Sequence, residues 1–234
     1  MDHKEYGILY PGYKGNPEAK DKPQVLHNLN MFFEAYSKGI PEPTLIWGPS
    51  KMVYQLVSEK MCAANIFEVG CGGGFGANIL STGNRVWAVD KNKMSVAFAR
   101  EAFGWEGLLF DHMDIMDSKT FKKPPFESFH VVASIGVIEH IGDPNLFLNN
   151  VIQYGGPDAE YYFSTDNRNR PLGDAPAPQN PFHVREWTVG EFHGYLERFF
   201  KSVVMMDNEG NNIPDDSDID VMVAQCNGPS SVSL

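Results

Sequence analysis

Residues 66–80 read "IFEVGCGGGFGANIL". An apolar run enters five glycines in quick succession, and a helix-compatible stretch follows. The pattern is that of a buried strand, a tight turn and the start of a helix. Glycine permits positive φ and lets a ligand lie against the main chain. A glycine-rich turn placed after a strand usually sits under a nucleotide. This segment therefore predicts an α/β domain with a cofactor beyond the carboxyl end of its first strand.

Outward from the turn, the chain alternates. "RVWAVD" (85–90) reads as a strand and Lys93–Phe103 as a helix. "GLLFDHMD" (107–114) and "FHVVASIG" (129–136) are further strands, a helix follows from about Asn145 to Val151, and "EYYFSTD" (160–166) is the next strand. Thr188 and Glu191 form a capping-box signature opening a helix towards Phe200. "KSVVMMDNEG" (201–210) and "DIDVMVAQC" (218–226) close the chain as two strands with no helix between them. The alternation predicts a doubly wound, mostly parallel sheet with helices on both faces, and the closing hairpin an antiparallel final strand. On the other side of the turn, Ser50 is placed to cap a helix running to about Ala63. Leu26, Leu29, Phe33 and Tyr36 suggest an earlier helix stopped by Gly39. Residues 1–49 are thus expected to be an arm and helix that could act as an active-site lid, and 50–234 the cofactor-binding domain.

The glycines admit two cofactor readings. A dinucleotide fingerprint needs glycines at the first, third and sixth positions. From Gly70 the sixth position is Phe75, and from Gly72 it is Ala77, a permitted variant that starts late relative to the strand. The other frame is Glu68-x-Gly70-x-Gly72-x-Gly74, an acid leading the glycines. Asp90 ends the second strand, where a carboxylate can accept both ribose hydroxyls. Asp114 adds an acid at a third strand end, within reach of an adenine amino group. Three carboxylates around one pocket repel a pyrophosphate but suit a sulfonium carrying an ammonium group. S-adenosylmethionine is favoured over NAD on this ground.

These segments resemble the motifs of the seven-stranded, Rossmann-like (class I) S-adenosylmethionine-dependent methyltransferases. "FEVGCGGG", "VWAVDKN", "FDHMDIMD" and "FHVVASIGVIEHI" are similar to the family's first four motifs, in order, and "HVREWTVGEF" to a segment after its fifth strand. The resemblance implies a seven-stranded sheet. It also implies that Glu68, Gly70, Cys71, Gly72 and Gly74 contact the methionine part of the cofactor. Asp90, with Lys91 beside it, would hold the ribose, Asp114 and Ile115 would meet adenine, and Ser134 would line the pocket. One departure is His130, where the family commonly has Asp; it bears on local stability rather than on cofactor choice.

Methyl transfer is an in-line displacement, and a base is needed only where the acceptor must lose a proton. His140 and His183 are the candidate bases, with Glu139 beside the first. The plainer alternative is that the Glu-His pair makes a helix-start hydrogen bond. Glu139, His140 and a later histidine also resemble the metal site of small-RNA 2′-O-methyltransferases. Gly136 stands where those enzymes have a further glutamate, and no metal is expected. Tyr6, Tyr10, Tyr13 and Trp47 could form an aromatic lid, and the proline-rich stretch Asp166–Val184 an opposite wall.

Bulk properties narrow the partners. The net charge of −11, from 19 basic and 30 acidic residues, disfavours a nucleic-acid partner. Three scattered cysteines make neither a disulfide framework nor a CxxC site. The opening "MDHKEYG" lacks signal-peptide features, and no apolar run reaches bilayer length, so a cytoplasmic, membrane-free protein is expected. The leading expectation is methyl transfer to a small-molecule acceptor at O or N. The alternatives are metal-dependent RNA 2′-O-methylation and a non-catalytic S-adenosylmethionine-binding module. Acceptor and oligomeric state are not encoded in these features.

Overall fold

The structure, a computed structural model, describes residues 8–9, 48–156, 158–170 and 182–230. The helix expected around Leu26–Gly39, the aromatic residues Tyr6, Tyr10, Tyr13 and Trp47, and the middle of the proline-rich stretch lie outside the described residues.

The described elements run β1 (Ile8–Leu9), α1 (Gly48–Lys60), β2 (Asn65–Val69), α2 (Phe75–Leu80), β3 (Arg85–Asp90), α3 (Lys93–Phe103) and β4 (Leu108–His112). They continue with β5 (Val131–Ile135), α4 (Pro144–Ile152), β6 (Glu160–Asp166), β7 (Arg185–Glu186), α5 (Val189–Leu196), β8 (Phe200–Met206) and β9 (Val221–Pro229). Seven of the strands form one sheet in the order β4-β3-β2-β5-β6-β9-β8. All neighbours are parallel up to β6, and β9 runs antiparallel to both β6 and β8. The mostly parallel doubly wound sheet and its antiparallel final strand are as the sequence predicts.

The strands are apolar on both sides because both faces of the sheet are covered. Ile66, Val86, Ala88 and Val131 pack into one layer. Phe67, Trp87, Val89 and Val132, one residue out of phase, pack into the other. In that second layer the Phe67 and Trp87 rings stack at 4.9 Å.

Local signals behave as their chemistry dictates, with one exception. Asn92 caps α3 by accepting from the backbone N–H groups of Met94 and Ser95, and Asp143 caps α4 with Pro144 at the first turn. The Thr188–Glu191 capping box is complete. Ser50, by contrast, is no cap: α1 already begins at Gly48 and Ser50 lies within its first turn.

Strand order reverses between β2 and β5, so the loops after these two strands splay apart and leave a crevice. Two further features reach that end of the sheet. The 3-10 turn Ile138–His140 follows β5. Strand β1 pairs antiparallel with β7, Ile8 opposite Glu186 and Leu9 opposite Arg185.

Candidate active site

The glycine turn closes β2 by backbone hydrogen bonds from Gly70 and Cys71 to the Val89 carbonyl. Gly70 has φ +83° and Gly72 φ +51°. A side chain at Gly70 would meet Val137, whereas nothing lies within 4 Å of the position a Gly72 Cβ would take. The turn thus keeps an open face. The Gly72 N–H donates to Asp90 Oδ2 at 2.9 Å, and the Asn92 N–H to Asp90 Oδ1 at 2.7 Å. These bonds fix the Asp90 carboxylate while each oxygen keeps a further lone pair for a ligand.

A cavity of about 260 Å³ opens between these loops. Gly70, Asp90, Lys91, Asp114, Ile115 and His140 are on its wall, all anticipated from sequence. Val69, Met113, Met116, Val137, Ile141 and Gly142 complete the lining. Sequence reasoning missed these, because apolar residues beside a strand end read the same whether they face a core or a ligand. Asp114 is held by its own turn, its Oδ1 accepting from the Met116 N–H at 2.9 Å.

The remaining residues expected at the cofactor are not among those lining the cavity. Cys71, Gly72 and Gly74 form the turn itself, and Cys71 is buried. Ser134 is buried and donates to the Val69 carbonyl at 3.2 Å, tying β5 to the end of β2. Glu68 is fully buried. Its Oε1 accepts from the Tyr54 hydroxyl of α1 at 2.8 Å, and its Oε2 has no partner. Burial pushes the Glu68 carboxyl up to about 8, with the Tyr54 hydrogen bond opposing and Asp90 adding to the rise. Burial likewise raises Asp90, against the two backbone N–H groups that lower it. The acidic ring is therefore two carboxylates at the wall, Asp90 and Asp114, with a third group, Glu68, beneath the turn. A donor set of this kind fits an adenosine cofactor with a cationic end: oxygens for ribose hydroxyls, an open glycine backbone, and an orphaned buried carboxyl oxygen.

On the other side of the cavity, the three candidate catalytic residues come together. His140 faces the cavity, and its Nδ1 is 3.0 Å from the Phe182 carbonyl. A carbonyl can only accept, so Nδ1 carries the proton and Nε2 is left with its lone pair. Burial and the neighbouring His183 push His140 down to about 4, so it is neutral at physiological pH. His183 stands edge-to-face behind it, ring centroids 4.8 Å apart. Glu139 and His183 are both buried and outside the cavity lining. His183 Nε2 is 4.0 Å from Glu139 Oε1, and Glu139 Oε2 has no partner. Burial raises the Glu139 carboxyl to about 7, opposed by His183. Burial by itself would lower His183, but Glu186, Glu139 and Asp166 outweigh it and the imidazole is raised.

Glu186, Arg170 and Asp166, none of them a catalytic candidate from the sequence, join this cluster. Glu186 Oε1 lies 2.8 Å from His183 Nδ1 and 3.0 Å from Arg170. Asp166 is 3.8 Å from Arg170 and 3.9 Å from His183. One atom from each of Glu139, His140 and His183 falls within 4.8 Å of the others, and the same holds for Asp166, His183 and Glu186. Such spacing is open to a shared proton or a small cation.

The sheet order, the glycine turn and the acid-lined crevice at the strand-order switch are those of the Rossmann-like methyltransferase fold. A model of the methyltransferase domain family matches residues 67–163. A probable S-adenosylmethionine-dependent methyltransferase of Mycolicibacterium smegmatis is 29% identical over 161 residues, 68% of this chain and 60% of that protein. A ubiquinone biosynthesis O-methyltransferase of Stutzerimonas stutzeri is 27% identical over 111 residues, 47% of each chain. Among solved structures, the N-methyltransferase NodS of Bradyrhizobium japonicum, in complex with S-adenosyl-L-homocysteine, superposes with a TM-score of 0.56. That match covers 98% of this chain and 100% of NodS at 14% identity. Over residues 67–163 the chain is similar to the S-adenosylmethionine-dependent methyltransferases, and S-adenosylmethionine is the cofactor that this similarity supports. It spans about half to three-fifths of the length of the curated relatives it matches. Among the described residues no helix is long and apolar enough to cross a membrane.

Proposed function

We propose that this protein transfers a methyl group from S-adenosylmethionine to a small-molecule acceptor, at oxygen or nitrogen. The observation that carries the reading is the Asp90 carboxylate, fixed by the Gly72 and Asn92 N–H groups at a cavity that His140 closes from the opposite side. Asp90 would accept from the ribose hydroxyls, Asp114 and Ile115 would border the adenine, and the open backbone of the turn would receive the methionine part. Bound there, S-adenosylmethionine supplies an activated methyl on a sulfonium, so alignment and exclusion of water are the protein's main contribution.

For a hydroxyl acceptor, the acceptor oxygen forms the new C–O bond as the S–CH₃ bond breaks. The hydroxyl proton would pass to His140 Nε2, the ring nitrogen left with its lone pair. For an amine the same wall receives the developing ammonium. The O-methyltransferase and N-methyltransferase relatives are consistent with either atom. The excess of acidic residues supports a small metabolite over RNA.

The test has two stages. Calorimetry with S-adenosylhomocysteine should give one site per chain, lost in Asp90→Ala. Incubation of metabolite extract with methyl-labelled S-adenosylmethionine should then yield a labelled small molecule that is absent with His140→Ala. Label found only in RNA, or cofactor bound with no label ever moved, would overturn the reading in favour of nucleic-acid methylation or a binding module respectively.

A further inference from the structure

Behind His140 lies a buried chain of charges that the methyl-transfer reading does not use. The groups facing His183 are Glu139 and His140 from the turn after β5, Asp166 and Arg170 from the end of β6 and just beyond, and Glu186 from β7. Burying an ion pair is costly unless geometry and hydrogen bonding are good, so charges are rarely left in such a place without partners. Here most of the partners are in place. Glu186 is fully buried and shares Oε1 between His183 Nδ1 and Arg170. Asp166 lies against both. Arg170 and the His183 imidazole thus face two carboxylates, Glu186 and Asp166, which would offset a proton gained by His183. Glu139 is a third carboxylate, and it holds an oxygen without a partner beside the His140–His183 pair.

We propose that Glu186 is a positioning residue for the reaction: clamped by Arg170, it holds His183 as an Nδ1–H donor and acts as that imidazole's counter-charge, which leaves Glu139 to balance positive charge arising at His140. Without Glu186, the carboxylates left beside His183 are Asp166 at 3.9 Å, already shared with Arg170, and Glu139 at 4.0 Å, which would be drawn into pairing with the imidazole. A proton or ammonium arriving at the cavity wall would then meet a carboxylate already neutralised. The inference rests on the methyl-transfer reading for the role of His140, and on the ion-pair geometry alone for the role of Glu186.

The experiment is long-range ¹H–¹⁵N spectroscopy of the histidine rings in the wild type, Glu186→Gln and Glu186→Leu, with S-adenosylhomocysteine calorimetry on each. In the wild type His183 should carry its proton on Nδ1. Glu186→Gln keeps an oxygen acceptor and should preserve that tautomer while lowering the His183 titration midpoint by about 1–3 pH units, the effect of removing one adjacent opposite charge. Glu186→Leu should lose the tautomer preference as well, and all three proteins should bind S-adenosylhomocysteine alike. An unchanged His183 spectrum in Glu186→Leu overturns the proposal. So does loss of S-adenosylhomocysteine binding in parallel with the spectral change, which would make Glu186 merely structural. Stoichiometric uptake of Mn²⁺ or Zn²⁺ by the wild type, abolished in His183→Ala, would make the cluster a cation site and overturn it too. If the wild type itself fails to bind S-adenosylhomocysteine, the methyl-transfer reading falls while the His183–Glu186 result still stands or fails on its spectrum.

Discussion

Asp90 organises the glycine turn and faces the cavity with the same carboxylate. Its charge matters for the ligand, because hydrogen bonds to an ionised acceptor are the stronger kind. Asp90→Asn should weaken S-adenosylhomocysteine binding by about 1–3 kcal/mol, read by calorimetry. An unchanged affinity would remove Asp90 from the site. His130 shows how an unusual residue can meet an ordinary need. At the start of β5 its Nδ1 accepts the Asn65 backbone N–H at 2.9 Å, the service an aspartate oxygen would give. The site is exposed, so the bond is of the modest kind. His130→Phe should cost about 0.5–1.5 kcal/mol in urea unfolding, and His130→Asp should be close to neutral. Equal losses in both variants would show that the acceptor is not what counts.

Helices α1 and α2 meet where a helix needs a residue without a side chain. The Tyr54 ring of α1 occupies the space a Cβ at Gly76 would fill, and its hydroxyl is the recorded partner of the Glu68 carboxyl. Gly76→Ala should therefore destabilise by about 1–3 kcal/mol through overpacking, despite alanine's better helix propensity. The measurement is the urea midpoint, and a stabilised variant would contradict the packing argument. At this scale much was legible in the sequence. Strands β2, β3 and β6 are continuous apolar runs with turn residues at their ends, and α5 carries its capping box in plain view. The Glu68–Tyr54 pair was not legible, since only the docking of α1 on the sheet brings the two together. A lone acid inside the run "IFEVG" was still a signal, because a buried carboxyl needs a partner.

Across the whole molecule, several buried groups favour their protonated forms. Glu68 is raised from 4.5 to about 8 and Glu139 from 4.5 to about 7, both by burial, and His183 is raised by its carboxylates. In each case the folded protein binds more protons than the unfolded chain between the two pKa values, so stability falls as pH rises through that window. The cofactor-free protein should show a melting temperature that declines between about pH 4.5 and pH 8, with the lower end set by Glu68 and Glu139. Glu68→Gln should flatten the slope; a rising curve over that range would refute the assignment. The mostly parallel sheet followed from strand–helix alternation, and the six anticipated residues on the cavity wall from the glycine turn, the acids at the strand ends, the family resemblance and the search for a base. The charge cluster was only partly visible. Asp166 and Arg170 precede the proline-rich stretch while His183 and Glu186 follow it, and no local spacing announces that the fold returns one pair to the other.

That return has a consequence for variation. The two ends of the stretch are pinned by Arg170–Glu186 and Asp166–His183, contacts that owe nothing to residues 171–181. Other sequences placed between these posts would leave all four pinning side chains in the chain. Under the proposed methyl-transfer reading, that one segment is the place to graft variation in search of new acceptors.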